Sequence, residues 1–140
     1  MHEKKNILLT GASGQIGSAL INIIDFDRYS VVGFDITEPK EPNMNVEYII
    51  YDCINLKKKE SIYKSFKTND KSFDILINNV GISTFASYMD RTEDEFDYVI
   101  DTNLKSVFFE IKNFLTLFNL NKQNSGKIIN IGSIFGLVSP

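Results

Sequence analysis

The sequence is poor in the residues that build covalent cross-links and metal centres. It contains one cysteine, Cys53, one histidine and no tryptophan. A single cysteine excludes an intramolecular disulfide, so nothing in the sequence favours an oxidising compartment. One histidine and one cysteine also leave few ligands for a zinc site, which usually takes four. We therefore expect a cytoplasmic protein without a metal centre.

Strong charge of one sign and long apolar runs are also absent. The formal net charge is −3, and the only basic run is Lys57 to Lys59. That run falls at the start of a predicted helix, where it is typical of a solvated face rather than of a nucleic-acid contact. The first apolar run, at residues 6–9, is too short for a signal peptide or a membrane-spanning helix. Neither nucleic acid nor membrane is expected as a partner.

The sequence does contain a regular alternation of strand and helix patterns. Short apolar runs predict buried parallel strands, and the segments between them have the apolar spacing of helices. The order predicts one α/β domain over residues 1–140, with a Rossmann-like doubly wound parallel sheet of strand order 3-2-1-4-5. The predicted strands are 6–10, 30–35, 46–52, 73–79 and 127–131, and the predicted helices are 15–24, 55–67, 92–102 and 104–120.

A glycine-rich turn, TGASGQIG, joins the first predicted strand to the first helix. Gly11 permits a tight turn, Gly14 lets the backbone approach a pyrophosphate, and Gly17 lets the helix pack close to the sheet. Amides at the helix start can bind phosphate. The same glycines would suit a turn that only packs strand against helix, but the flanking strand and helix favour a dinucleotide. The turn residues expected to contact it are Gly11, Ser13, Gly14, Gln15, Ile16 and Gly17.

Two acidic residues end the next two predicted strands. Asp35 lies eighteen residues after Gly17, where an acid would accept hydrogen bonds from an adenosine ribose. A 2′-phosphate at ~4 Å would be repelled by about 1–4 kcal/mol, so we expect NAD rather than NADP. Asp52 could bind the adenine amino group, with Cys53 beside it through its backbone. Alternatively, Asp35 is a turn residue and Asp52 caps the following helix, and Cys53 is expected to be a small buried residue rather than a reactive thiol.

Three further segments bring a family resemblance. NNVG at residues 78–81 closes the fourth predicted strand. With the glycine turn and the two acids, it is similar to the NNAG motif of the classical short-chain dehydrogenase/reductase family. DTNLKSVFF at 101–109 resembles that family's asparagine-bearing helix, and IINIGSIFG at 128–136 resembles its catalytic-serine strand. The resemblance covers the whole chain and corresponds to the N-terminal portion of the family.

The resemblance implies an NAD-dependent oxidoreductase that transfers hydride between nicotinamide and a small alcohol or carbonyl substrate. Asn79 and Gly81 would line the cofactor site, with Ile131 at the tip of the fifth strand. Asn103 would interrupt its helix and hold a water in a proton relay, and Ser133 would hydrogen-bond the reacting oxygen of the substrate. Without the resemblance, Asn103 is a helix-breaking polar residue and Ser133 a turn serine.

Two departures from the family pattern leave alternatives open. Gln15 stands where classical members carry glycine, and the resulting TGxxGxxG spacing is more typical of the extended branch of nucleotide-sugar epimerases and dehydratases. The family's acid/base pair, Tyr-x-x-x-Lys, lies about a dozen residues beyond the serine, and none of the six tyrosines here follows Ser133. We therefore expect the chain to be inactive alone. A non-catalytic dinucleotide-binding module or remnant is the other alternative.

The predicted helix 104–120 carries two sets of apolar residues. One face can pack on the sheet, and the other suggests a homo-oligomer of the kind the family forms through helix bundles, or core packing against further residues. The first set is a stripe of Leu104, Phe108, Ile111, Leu115 and Phe118, and the second set, partly off that stripe, is Val107, Phe114 and Leu117.

Overall fold

A five-stranded parallel sheet forms the centre of the molecule. The computed structural model describes residues 4–118 and 125–136. The strands lie in the order β3-β2-β1-β4-β5, and each neighbouring pair is parallel. The predicted order 3-2-1-4-5 is therefore confirmed. The strands are β1 (Lys5–Thr10), β2 (Tyr29–Asp35), β3 (Val46–Ile50), β4 (Ile75–Asn78) and β5 (Lys127–Asn130).

The helices agree with the predicted ones to within a few residues. A π-helical turn, Asp101–Lys105, joins the third helix to the fourth, so the two form one continuous helical segment. Residues 119–120, predicted to end the fourth helix, lie outside the described residues. No helix in the described part of the chain is long and apolar enough to cross a membrane. The helices are α1 (Gln15–Ile23), α2 (Leu56–Thr68), α3 (Glu93–Ile100) and α4 (Ser106–Phe118).

Capping side chains fix the starts of two helices. Asn55 precedes α2, and its side-chain oxygen accepts a hydrogen bond from the Lys58 amide at 3.0 Å. Thr92 precedes α3 and forms a reciprocal capping box with Glu95, with bonds of 3.1 and 3.2 Å. Asparagine and threonine are both common at the position before a helix. They satisfy amides that have no partner within the helix.

Adjacent residues of a strand point to opposite sides of the sheet, and both sides are buried at the centre of the sheet. All four residues of the edge strand β5 are exposed, which corrects the expectation of a buried strand there. Leu8 and Leu9 of β1 are both fully buried, one in each of two apolar clusters. One cluster joins the sheet to α1 and includes Ile21. The other joins it to α2 and α4 and includes Phe66 and Phe114. Burial of both faces accounts for the nearly continuous apolar character of the strand.

Lys59 corrects the expectation that the basic run forms a solvated face. Lys57 and Lys58 are exposed, but the Lys59 side chain is 1% exposed. Its Nζ lies 2.7 Å from the Glu110 carboxylate of α4, which is 2% exposed, and donates to the Ser106 carbonyl at 2.9 Å. A buried ion pair therefore connects α2 to α4.

The structure shows which of the two apolar sets of α4 faces the core. Phe114 and Leu117, from the second set, are fully buried and pack in the core together with Glu110. Leu104 and Phe108, from the longer stripe, are more than 60% exposed. The longer stripe therefore contributes most of the outward face, because the polar Glu110 occupies a core position between the residues that face the sheet.

Replacing Lys59 with alanine should lower the free energy of unfolding by about 3–5 kcal/mol, because the Glu110 carboxylate would stay buried without its partner. Urea denaturation measures the change. Lys58→Ala is the matched control, since its exposed side chain should change stability by less than about 0.5 kcal/mol. Equal effects of the two substitutions would contradict the buried pair.

Candidate functional site

A cleft opens at the carboxyl ends of the strands. It lies where the strand order changes direction, with β2 and β3 on one side of β1 and β4 and β5 on the other. Open α/β sheets bind ligands at this switch point. The residues lining it include Gly11, Asp35, Asp52, Cys53, Val80, Ile82, Thr102, Ser106, Val107 and Glu110.

The glycine turn is as tightly packed as its sequence predicts. Gly11 has φ of +66°, a conformation that favours glycine, and a Cβ there would lie 2.9 Å from the Asn79 side-chain nitrogen. A Cβ at Gly17 would lie 2.1 Å from the Gly11 carbonyl oxygen. Helix α1 therefore begins directly against the tip of β1, and a side chain at Gly17 would move it away.

The start of α1 has the features of an anion site. Gly14 precedes the helix without a capping side chain, and the first turn contains no acid. Gln15 and Ile16 are exposed at this end. The amides and the positive end of the helix dipole therefore face open space beside the cleft. Gln15 is an ordinary exposed helical residue, so its replacement of the family's glycine causes no local strain.

The Asp35 carboxylate at the tip of β2 is held by two loops. Its Oδ2 accepts from the Ser13 amide at 2.9 Å. Its Oδ1 accepts from the amide and hydroxyl of Thr37 at 3.1 and 3.3 Å, and the Ser13 hydroxyl donates to the Thr37 carbonyl at 2.7 Å. A carboxylate has about four acceptor positions, so about one remains for a ligand. Sequence reasoning missed Thr37, although an aspartate commonly accepts a hydrogen bond from the amide two residues later in a turn.

Asp52 and Cys53 line the opposite side of the cleft. The alternative that Asp52 caps the following helix is wrong, because Asn55 caps α2 and the Asp52 carboxylate accepts from the Ile54 amide at 3.1 Å. Cys53 is half-buried, and burial raises the pKa of its thiol. The thiol form is thereby favoured over the reactive thiolate.

Hydrogen bonds join the tips of β1 and β4. The Thr10 hydroxyl accepts from the amides of Asn79 and Val80 at 3.0 and 3.1 Å. The Asn79 side chain donates to the Gly11 carbonyl at 3.0 Å. A Cβ at Gly81 would lie 3.7 Å from the Asn103 side-chain oxygen, an ordinary contact. The NNVG segment is therefore fixed to the glycine turn mainly through Asn79.

Asn103 lies in the π-helical turn between α3 and α4. Its Oδ1 accepts from the Ile82 amide, and its Nδ2 donates to the Ile82 carbonyl, both at 2.8 Å. The interruption expected at Asn103 is thus a π-helical turn rather than a break. The paired bonds fix this turn against the loop that follows β4.

Ile131 and Ser133 follow β5 at the same edge of the sheet. The Ile131 amide donates to the Asn78 carbonyl at 2.9 Å, which continues the pairing of β4 and β5. Ser133 is exposed, and its carbonyl accepts from the Gly136 amide at 3.0 Å. The sequence-predicted residues therefore collect along one edge of the sheet, from Asp52 beyond β3 to Ser133 beyond β5. Within residues 4–118 and 125–136, no group of three or more His, Cys, Asp or Glu side chains is placed to hold a metal.

Comparisons with known proteins agree with this geometry. The short chain dehydrogenase family matches residues 5–140. The chain is 33% identical to the 3-oxoacyl-[acyl-carrier-protein] reductase FabG of Vibrio harveyi, over 96% of this chain and 57% of that protein. It is 28% identical to the acetoacetyl-CoA reductase of Acinetobacter sp. (strain RA3849), over 98% of this chain and 59% of that protein.

A solved structure has the same fold. The short chain dehydrogenase from Leptospira borgpetersenii with bound NAD+ superposes with a TM-score of 0.91 at 35% identity, over 99% of this chain and 55% of that one. The chain thus spans a little over half the length of these relatives. The family match runs through all the motifs of the cleft, and we conclude that the chain belongs to the short-chain dehydrogenase/reductase family of oxidoreductases.

Proposed function

We propose that this chain provides the dinucleotide-binding part of an oxidoreductase that transfers hydride between nicotinamide and an alcohol or carbonyl carbon. The observation that carries the proposal is the cleft at the strand-order switch, with the glycine turn at one end and Asp35 and Asp52 along its sides. The uncapped start of α1 would bind the pyrophosphate through its amides. The nicotinamide would then extend past Asn79 and Gly81 toward β5.

NAD is the proposed cofactor. Asp35 would accept a hydrogen bond from the adenosine ribose through the acceptor position that Ser13 and Thr37 leave open. A 2′-phosphate would instead meet a carboxylate held rigidly by two loops, and at ~4 Å it would be repelled by about 1–4 kcal/mol. The NAD+ bound by the Leptospira borgpetersenii relative supports this choice.

For the reaction itself, we assign Ser133 to the reacting oxygen of the substrate and Asn103 to a relay water. Proton transfer then requires an acid or base close to Ser133. All six tyrosines precede Ser133 in the sequence. Tyr63 alone has lysine four residues later, at Lys67, but its side chain is buried on α2 and its hydroxyl is bonded to Glu110. The proposed role of this chain is therefore to bind and orient the cofactor, with the acid/base pair supplied from outside the 140 residues.

Asp35→Asn should reduce the preference for NAD+ over NADP+ about fivefold or more, because the charge that repels the 2′-phosphate is removed. Dissociation constants for both nucleotides, measured by calorimetry, give the ratio. Glu38→Gln is the matched control, since it removes the same charge from an exposed residue three positions along the loop. An unchanged ratio in Asp35→Asn would exclude Asp35 as the discriminating residue.

The chain should bind NAD+ but reduce it with small secondary alcohols about 10²–10⁴-fold more slowly than a complete family member, because it lacks the acid/base group. NADH absorbance measures turnover, and calorimetry on the same sample establishes that the nucleotide is bound. Turnover at an ordinary enzymatic rate would contradict the assignment of the acid/base pair to residues outside this chain.

A further inference from the structure

Four polar side chains form a buried cluster behind the cleft. Glu110 of α4 lies at its centre, with Lys59 and Tyr63 of α2 and Tyr51 beyond the end of β3. All four residues are less than 10% exposed. We call these four residues the Glu110 cluster. Glu110 and Tyr51 also line the cleft, so the cluster forms part of its wall.

Both oxygens of the Glu110 carboxylate are occupied. Its Oε2 lies 2.7 Å from Lys59 Nζ and accepts from the Tyr51 hydroxyl at 3.3 Å. Its Oε1 accepts from the Tyr63 hydroxyl. Burial, reinforced by the Glu110 charge, raises the pKa of both tyrosines, so their hydroxyls remain protonated donors at neutral pH. Each of the four side chains therefore has a partner within the network.

Two connections lead from the Glu110 cluster to opposite walls of the cleft. Tyr51 directly precedes Asp52 and Cys53, and its amide donates to the Asp35 carbonyl at 2.8 Å. Lys59 donates to the carbonyl of Ser106, a cleft-lining residue at the start of α4. Tyr51 is therefore held at its backbone by β2 and at its hydroxyl by α4. Through Glu110, the wall formed after β3 is tied to the wall formed by α4.

Stability alone does not call for a polar cluster at this position. Buried ion pairs carry a large desolvation penalty, and apolar side chains of similar volume often give equal or greater stability. The hydrogen bonds instead fix the geometry, because each one requires a narrow range of distances and angles between the elements that it joins. Apolar packing against α4 would fix the position of Tyr51, and of Asp52 next to it, less strictly.

We propose that Glu110 is a positioning residue of the dinucleotide site: through Tyr51 and Lys59 it sets the spacing of the two walls between which the adenine binds. This inference rests on the proposed function. Tyr63 bonds to the same carboxylate but lies on α2 away from the cleft, so its bond contributes to stability without fixing a wall. Both tyrosines bond to Glu110, but only the loss of the Tyr51 hydroxyl should change the cleft.

The test compares Tyr51→Phe with Tyr63→Phe in the chain. Each substitution removes one buried hydroxyl bonded to Glu110 and keeps the ring, so both variants should fold. Calorimetry measures the dissociation constant of 5′-AMP, and thermal unfolding measures stability. We expect Tyr51→Phe to weaken AMP binding about three- to tenfold, the value of one net hydrogen bond. Tyr63→Phe should lower the unfolding temperature while AMP affinity stays within about twofold.

The remaining outcomes separate the two proposals. If the wild-type chain and Tyr51→Phe bind AMP with equal affinity, the positioning role is overturned but the proposed dinucleotide function is not. Equal weakening by both substitutions would also overturn it, since the Glu110 cluster would then act through general stability. If the wild-type chain binds no AMP, the proposed dinucleotide function fails, and the positioning role fails with it.

Discussion

The contact on which the site depends is the approach of α1 to the tip of β1. Gly17 lies so close to the Gly11 carbonyl that a Cβ would be 2.1 Å from it, and this closeness brings the positive end of the helix directly beside the strand ends. The central strand is buried on both faces, so the turn cannot shift without disturbing two apolar clusters. The rigid core thus fixes the position of the proposed anion site, which consists of little more than backbone.

Polar side chains around the cleft connect one strand tip to the next. Thr10 joins β1 to the loop after β4, Asp35 joins β2 to the glycine turn, and Asn103 joins the π-helical turn to the same loop after β4. Each side chain satisfies backbone groups that would otherwise lack partners. Asp35 and Asn103, both predicted site residues, therefore also keep the loops in place, and a substitution at either one changes the shape of the cleft as well as its chemistry.

The two faces of the sheet are built differently. The face toward α1 is held by aliphatic packing with residues such as Ile21. The face toward α2 and α4 combines aromatic packing, including Phe34 stacked on Phe66, with the buried charges of Lys59 and Glu110. Charges inside an apolar cluster are tolerated only when each is paired and fully hydrogen-bonded. Their location behind the cleft gives that face a defined geometry that apolar contacts alone would not impose.

The glycine turn and the caps at Asn55 and Thr92 follow from local patterns in the sequence, because each depends on residues close together in the chain. The strand order brings distant residues together, but the alternation of strand and helix patterns was enough to predict it. The tertiary structure alone decided which lysine of the basic run is buried, since the carbonyl that Lys59 binds lies 47 residues away. It also decided which face of α4 meets the sheet. Glu110 lies on the buried face, and the apolar pattern of the sequence does not mark that face because Glu110 is charged. The bond from the Ser13 amide to Asp35 likewise depends on how two loops meet. The spacing of apolar residues predicts burial only for apolar side chains, so it cannot identify a buried ion pair.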